Sequence, residues 1–190
     1  RIDHVPPSRG LIFDRNGEVL AHNYSAYTLE IVPSKVKNLE DLINELSTVV
    51  EIAARDRKRF KKLMEESKRF ESLPIRTRLS DVEVARFAAN RYRFPGVEIK
   101  ARLFRQYPKG EMASHVIGYI GRINDKDLEQ LEANNALANY RGSQYMGKIG
   151  IEQSYEQDLH GITGFEEMET DAAGRVIRVI SRTPPVSGNN

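Results

Sequence analysis

The sequence predicts an α+β fold in which strands lie at both ends of the chain and helices lie in the middle. Turn signals and alternating apolar residues mark residues 11–31 and 97–107, and a hairpin pattern marks residues 164–182. Apolar residues between 39 and 92 instead recur at helical spacing. Because strands and helices are segregated, the pattern favours α+β over alternating βαβ units.

The chain opens with a predicted β-hairpin. Residues 11–14 and 19–21 flank Asn16-Gly17, a pair that supplies the positive φ angles of a tight turn. A second strand is predicted over residues 27–31, where Tyr27, Leu29 and Ile31 share one face at period two before Pro33 ends the run.

Two helices are predicted next. The first runs from Leu39 to Val50 with Asn38 as its N-cap. The second spans residues 56–68 and is strongly basic. The apolar stripe of the second helix is formed by Phe60, Leu63 and Met64.

A third helix follows a short extended segment at residues 73–79. Ser80 and Glu83 have the spacing of a capping box, and the helix is expected to end near Tyr92. A strand is then predicted from residue 97 towards Tyr107. Its apolar face comprises Val97, Ile99, Ala101 and Leu103.

The last third of the chain contains two more helices and a hairpin. Residues 125–133 follow the N-cap Asn124, with Leu128 and Leu131 as expected core contacts. Residues 151–159 form a helix whose C-terminal cap is Gly161. The stripe of that helix is Ile151, Tyr155 and Leu159, and the hairpin pairs residues 164–170 with 175–182 around 171–174.

These elements predict two lobes. Residues 1–33 and 95–185 form a strand-rich lobe, and residues 34–94 form an inserted helical lobe. Residues 186–190, rich in small and polar residues, are expected to be a linker.

Composition excludes several classes of function. The 190 residues carry 29 Lys and Arg against 27 Asp and Glu, so the net charge of +2 does not indicate a nucleic-acid partner. The chain has no cysteine, its four histidines lack ligand spacing, and we predict neither a metal nor a cofactor. It also contains no apolar run of about 20 residues that could span a membrane.

No catalytic residues are predicted. Ser34 and Lys37 fit the Ser-x-x-Lys pattern of penicillin-recognising enzymes, and Ser187 and Asn189 fit Ser-x-Asn, but a Lys-Thr-Gly or Lys-Ser-Gly partner is missing from the sequence. Ser34 is therefore interpreted as a turn residue. The acidic groups at 152, 156 and 158 and at 166, 167 and 169 are interpreted as solvated helix or strand faces.

A basic run leaves an alternative open. Eight Lys or Arg and three Asp or Glu lie between residues 55 and 69, so this segment could bind nucleic acid or an anionic surface. A solvated helix face is the simpler interpretation, because no motif that reads bases accompanies the charges.

Two sequence blocks resemble the class B penicillin-binding proteins. Residues 9–21 read RGLIFDRNGEVLA, similar to the Arg-Gly-x-Ile-x-Asp-Arg-Asn-Gly-x-x-Leu-Ala signature of that family. Residues 147–161 read GKIGIEQSYEQDLHG, similar to its Gly-(Lys/Arg)-x-Gly-(Ile/Leu)-Glu-x-x-Tyr-Glu-x-x-Leu-x-Gly block. Residues 92–98 and 115–121 resemble the elongation-specific penicillin-binding protein 2 type.

The resemblance implies a periplasmic pedestal on the inner membrane, with anchor and head lobes. A membrane helix is expected before it and a penicillin-sensitive serine D,D-transpeptidase domain after it, which cross-links peptidoglycan during elongation. The pedestal itself is expected to carry no catalytic residue or cofactor. Its implied partners are a RodA-type glycan polymerase, an MreC-type scaffold and its own transpeptidase domain.

The resemblance also carries over a set of motif residues, which we interpret as structural. Gly17 and Gly150 are expected to meet backbone demands, while charged members form charge-assisted hydrogen bonds. The set comprises Arg9, Gly10, Asp14, Arg15, Gly17, Gly150, Glu152, Tyr155 and Gly161.

Overall fold

The structure, a computed structural model, describes residues 1–67, 71–110, 114–171 and 176–190. The chain forms two compact units, one built from Arg1–Tyr24 with Arg105–Asn190 and the other from Ser25–Phe104. We call these the discontinuous unit and the continuous unit.

Helices and strands occur in both units, as the α+β prediction requires. The strands are β1 (Ile2–Val5), β2 (Ile12–Phe13), β3 (Val19–Ile31), β4 (Leu73–Leu79), β5 (Val97–Gln106), β6 (Ile120–Arg122), β7 (Tyr145–Gly147), β8 (Gly164–Thr170) and β9 (Val176–Thr183). The helices are α1 (Leu39–Leu46), α2 (Ala54–Glu66), α3 (Asp81–Asn90), α4 (Ser114–Ile117), α5 (Asp125–Ala133), α6 (Gly150–Ser154) and α7 (Glu156–His160).

The continuous unit has the larger apolar core. The end of β3 pairs antiparallel with β4 and also pairs with β5. The helices α1, α2 and α3, and the segments that follow α1 and α3, supply the other core side chains. Phe87 and Phe94 stack with ring centroids 6.0 Å apart. The buried residues of this core include Leu29, Ile31, Ile43, Leu46, Val50, Phe60, Leu73, Ile75, Phe87, Phe94 and Val97.

The predicted starts of α1 and α3 are confirmed, whereas α2 begins two residues before its predicted start at residue 56. The Asn38 side chain accepts from the Asp41 amide at the start of α1, and Ser80 and Glu83 form the capping box of α3. Helix α2 begins at Ala54, with Phe60 and Leu63 buried; the predicted end at residue 68 lies outside the described residues.

Three details of this unit differ from the sequence prediction. The predicted second strand is part of one long strand, β3, because successive segments of β3 pair with β2 and then with β4. Helix α1 ends at Leu46 rather than Val50, because the hydroxyls of Ser47 and Thr48 bond to carbonyls of its last turn. Tyr27 and Leu103 are exposed rather than part of an apolar core.

The discontinuous unit contains three small β-structures. Strands β1, β8 and β9 form the sheet that we call the terminal sheet, in that order and antiparallel. Strands β2 and β3 form the predicted first hairpin, with Gly17 at φ +80° in its turn. Strands β6 and β7 form a short ribbon that the sequence did not predict. The predicted β8–β9 turn, residues 171–174, lies mostly outside the described residues.

The helix predicted over residues 151–159 is two short helices. It breaks at Tyr155, whose side chain is exposed. The discontinuous unit has a small apolar core of Ile12, Ala21, Ile117 and Leu159, against which Ile151 packs. Ile151 and Leu159 have the spacing of one continuous helix, so the apolar pattern does not reveal the break. Leu128 of α5, a predicted core contact, is also exposed, whereas Leu131 is buried as predicted.

The compact units do not divide at the predicted lobe boundaries. The sequence placed the divisions beside Pro33 and Pro95, whereas the chain passes between the units within β3 and at the end of β5. At both boundaries the chain crosses within a strand, so no turn residue marks the boundary in the sequence.

Residues 186–190, predicted as a linker, are fixed by hydrogen bonds. Val186 exchanges backbone bonds with Ile162, and the Asn189 amide donates to the Asp158 carbonyl. The Leu11 amide donates to the side chain of Asn190. The segment therefore belongs to the discontinuous unit.

Candidate functional site

A cluster of buried charges lies inside the discontinuous unit. Its centre is the fully buried carboxylate of Glu152. Arg9 Nε lies 2.7 Å from one oxygen of that carboxylate, and Arg105 Nε lies 2.7 Å from the other. A loop, a strand and a helix, far apart in sequence, therefore meet at one carboxylate.

Glu156, one helical turn further along, is the second buried carboxylate. Its Oε2 accepts from the Gly147 amide at 2.8 Å and lies 2.7 Å from Arg9 Nη2. Its Oε1 accepts from the Tyr140 hydroxyl at 2.8 Å. Arg9 thus bridges both carboxylates.

The arginines also bind the backbone. Arg9 Nη2 donates to the Glu152 carbonyl, and Arg105 Nη1 donates to the Gly10 carbonyl and to Asn23 Oδ1. Tyr107 donates to Glu152 and accepts from the Ile120 amide. Within the part of the chain that the structure describes, Arg105 Nη2 is the one buried side-chain polar atom without a hydrogen-bond partner.

Burial and charge shift the pKa values of the cluster. Burial raises the pKa of the Tyr107 hydroxyl to about 12, and the negative charge of Glu152 adds to the rise. Burial and Glu156 raise the pKa of Tyr140 in the same way. Burial by itself would lower the pKa of Arg9, but its bonds to Glu156 and Glu152 raise the value above the ordinary one. Arg9, Tyr107 and Tyr140 therefore keep their protons at neutral pH.

A buried histidine borders the cluster. The ring of His160 stacks on Tyr140 with centroids 3.9 Å apart, and His160 Nε2 lies 2.9 Å from the Ser143 hydroxyl. Burial lowers the pKa of His160, although the Gly161 carbonyl and the Glu156 charge act in the opposite direction. The neutral ring is therefore the favoured form.

Two glycines let backbone segments approach closely beside the cluster. Gly150, at φ +66°, opens the helix that carries Glu152, and a Cβ there would lie 2.6 Å from the Val116 carbonyl oxygen. A Cβ on Gly10 would lie 1.8 Å from the Asn189 carbonyl oxygen. A larger residue at either position would displace backbone.

The structure gathers some of the predicted motif residues and separates others. Arg9, Gly10, Gly150 and Glu152 lie in or against the cluster, and Gly161 adjoins it through His160. The residues outside it are Asp14, Arg15 and Gly17, which lie in the β2–β3 turn, and the exposed Tyr155. Asp14 accepts from the amides of Asn16 and Glu18 in that turn.

The interpretation of the acidic group around residue 152 as a solvated face is wrong. Glu152 and Glu156 are both buried, because Arg9, Arg105 and Tyr140 replace the water that each carboxylate would lose. The sequence did not predict three other members of the cluster, Arg105, Tyr107 and Tyr140. Arg105 falls in a strand of alternating basic and apolar residues, where nothing distinguishes a buried arginine from a solvated one.

A further buried carboxylate that the sequence did not predict, Glu30, lies in the continuous unit. Glu30 accepts from Arg102 through both oxygens, at 2.8 and 3.0 Å, and from Ser72 at 2.6 Å. Burial would raise the pKa of Glu30, but the bonds to Arg102 and Ser72 lower it below the ordinary value.

The geometry is that of a scaffold rather than a reactive centre. Arginine, tyrosine and amide donors already occupy the oxygens of Glu152 and Glu156. Ser34 is exposed in a single 3-10 turn, Pro33–Lys35. Among the described residues there is no group of three or more His, Cys, Asp or Glu placed to hold a metal. The helices described are all too short or too polar to cross a bilayer.

Comparison with known proteins gives consistent matches. A family model described as the Penicillin-binding Protein dimerisation domain matches residues 4–190. The chain is 48% identical over 192 residues to the peptidoglycan D,D-transpeptidase MrdA of Escherichia coli K12, and 40% identical over 186 residues to that of Haemophilus influenzae. These alignments cover 100% and 98% of this chain but 30% and 29% of those proteins.

A solved structure shares the fold. It is a complex between Penicillin-Binding Protein (PBP2) and MreC from Helicobacter pylori, matched with a TM-score of 0.77 at 24% identity. The match covers 98% of this chain and 34% of that chain. The chain therefore spans about a third of the length of each of these proteins.

Proposed function

The chain belongs to the penicillin-binding protein dimerisation-domain family, and on that premise we propose that it is the non-catalytic pedestal of a peptidoglycan D,D-transpeptidase that acts in cell elongation. The pedestal stands on the periplasmic face of the inner membrane. It positions the transpeptidase domain and binds elongation partners, an MreC-type scaffold and a RodA-type polymerase.

The buried charge cluster is the observation that carries this proposal. Arg9 comes from the first signature block, and Glu152 and Glu156 come from the second. Charged residues of the two blocks therefore bind each other and join distant segments of the chain. Buried ion pairs of this kind fix geometry, because a misplaced partner leaves a charge without water or counter-charge. Such a scaffold suits a domain that holds another domain in position.

Partner binding is supported by the relatives. The solved structure of the same fold is a complex with MreC, and the relatives are named peptidoglycan D,D-transpeptidases. The MreC-type partner is therefore the first to test.

Binding of the periplasmic part of an MreC-type scaffold tests the proposal. The 190-residue chain should bind it saturably in calorimetry, and an unrelated periplasmic domain of similar charge should not. No binding at protein concentrations of about 100 μM would contradict the proposal, since a functional contact should have a dissociation constant below that concentration.

A second candidate function is binding to an anionic surface through residues 55–69. The continuous unit holds 17 Lys and Arg against 12 Asp and Glu, whereas the discontinuous unit holds 12 against 15. Lys58 and Lys61 are exposed on α2, and the described residues supply neither with an ion pair. Binding to DNA or to anionic vesicles that weakens steeply with salt would support this candidate.

A further inference from the structure

Residues 186–190, which we call the strap, lie in a narrow slot of the discontinuous unit. One wall of the slot is the segment that precedes β2, and the other is the end of α7. The Gly188 amide donates to the Ser8 carbonyl at 2.9 Å, and the Asn189 amide donates to the Asp158 carbonyl at 2.8 Å. Both walls therefore hold the strap through its backbone.

The slot is too narrow for side chains. A Cβ on Gly188 would lie 1.8 Å from the Leu159 carbonyl oxygen and 2.9 Å from the Gly10 amide nitrogen, so it would meet both walls. A Cβ on Gly161 would lie 2.3 Å from the Val186 carbonyl oxygen. Because these neighbours are backbone atoms, a side chain at either glycine would force the segments apart.

The wall before β2 is held by the charge cluster as well as by the strap. Residues 6–11 lie between β1 and β2 and have no regular secondary structure. Arg9 anchors this segment through its ion pairs with Glu152 and Glu156, and the strap anchors it through the neighbouring residue, Ser8. Because both contacts hold one short irregular segment, the loss of either should loosen the other.

We propose that the strap is a rigid joint, coupled to the charge cluster, that fixes the orientation of the domain that follows it. The inference rests on the proposed function, in which a transpeptidase domain follows the pedestal. A flexible linker would let that domain take many orientations. A strap bonded to both walls instead fixes the direction in which the chain leaves the discontinuous unit.

Hydrogen exchange in the 190-residue chain tests the joint. Gly188→Val places a side chain against both walls, so the amides of residues 186 and 189 should exchange at least about tenfold faster. Ser187→Val is the matched control, because it introduces the same side chain at an exposed neighbour. It should change these rates by less than about twofold. The strap lies at the end of the chain, so the unit should stay folded, as circular dichroism can verify.

Coupling to the charge cluster gives a second readout. The Gly10 amide donates to the Leu159 carbonyl rather than to the strap, yet it should also exchange faster in Gly188→Val. Conversely, Arg9→Gln should speed exchange at residues 186 and 189 while the amides of α5 keep their rates. If Arg9→Gln does not fold, the strap variant decides the test. An unchanged rate at Gly10 in that variant would overturn the coupling.

The orientation is measured in the longer protein, with fluorescent penicillin marking the transpeptidase domain. A second dye is attached to the discontinuous unit through Glu129→Cys, on an exposed helix face. Energy transfer between the dyes in single molecules should give one narrow distribution. Gly188→Val should broaden it by about twofold or more, since domains move relative to each other unless a large interface holds them. Ser187→Val should leave it unchanged.

The possible outcomes separate the two proposals. If Gly188→Val leaves the exchange rates of the strap or the distribution of energy transfer as they are in the unmodified protein, the joint is overturned. The proposed function then still depends on binding of the scaffold alone. If fluorescent penicillin does not label the longer protein, the proposed function is overturned, whereas exchange at residues 10, 186 and 189 still decides whether the strap is coupled to the charge cluster.

Discussion

Glu152 shows how much a single side chain determines in this protein. Its carboxylate lies out of water between Arg9 and Arg105, and it also accepts from Tyr107. Taking these charges out of water is costly, and the favourable geometry offsets that cost only while every partner is present. The cluster is therefore far more sensitive to the removal of one member than its net contribution to stability would indicate.

Neutralising this carboxylate should destabilise the fold strongly. Glu152→Gln keeps the shape but leaves the buried Arg105 guanidinium without its anion and Arg9 with Glu156 alone, so we expect a loss of about 3 to 5 kcal/mol in the free energy of unfolding. Urea unfolding measures it. Glu129→Gln, on an exposed helix face, is the control and should change the value by less than about 0.5 kcal/mol. A loss below about 1 kcal/mol for Glu152→Gln would show that the cluster is not a structural centre.

His160 should make the stability depend on pH near neutrality. Its pKa is lowered in the folded chain, so the unfolded chain binds a proton more readily below the ordinary value of 6.5. The free energy of unfolding should therefore fall as pH decreases from about 7.5 through 6.5 and below, until His160 is itself protonated. His160→Gln removes this contribution. Urea unfolding at several pH values should give a shallower slope for the variant, and parallel slopes would contradict the assignment.

At the scale of single elements, local signals were reliable and long-range ones were not. The caps at Asn38, Ser80 and Asn124 were predicted from the sequence, because a cap depends on residues within one turn. The continuity of β3 depends on which strands pair with it, and those lie up to about 80 residues away in the chain. The spacing of neighbouring residues in the sequence does not indicate which strands pair.

The first hairpin gives a test at this scale. Gly17 sits at φ +80°, and a Cβ added there would meet no atom within 4 Å, so strain would come from the backbone alone. Gly17→Val should cost about 1 to 3 kcal/mol and lower Tm. Gly17→Asn should cost much less, because asparagine tolerates left-handed backbone. Equal Tm values for the two variants would argue against a strained turn.

The same division between local and long-range information applies to the charge cluster. The resemblance to a known family singled out Arg9 and Glu152, and the pattern of the sequence offered no partner for either. Arg105 and Tyr140 lie 47 and 16 residues from the carboxylates they bind. Folding alone brings them together, so only the structure could assign them.

For the molecule as a whole, the expectation is that it does not react with β-lactams. Ser34 is exposed in a turn, and Lys37 is exposed after it. Nothing in that geometry activates a serine, which needs a base held within hydrogen-bond distance. Fluorescent penicillin should leave the chain unlabelled while it labels an intact transpeptidase in the same assay. Stoichiometric labelling that Ser34→Ala abolishes would reverse this conclusion.

The discontinuity of one unit sets an order of events during synthesis. Residues 25–104 can complete their own core as soon as they have emerged, because every strand and helix of that core is already present. Arg9 cannot form its ion pair at that stage, since the carboxylate that binds it lies 143 residues further along the chain. A nascent chain interrupted before α6 therefore has a folded continuous unit, while Arg9 in its N-terminal segment still lacks its carboxylate partner. We expect a protease to cut the N-terminal segment of such a chain faster than it cuts the same segment of the completed chain.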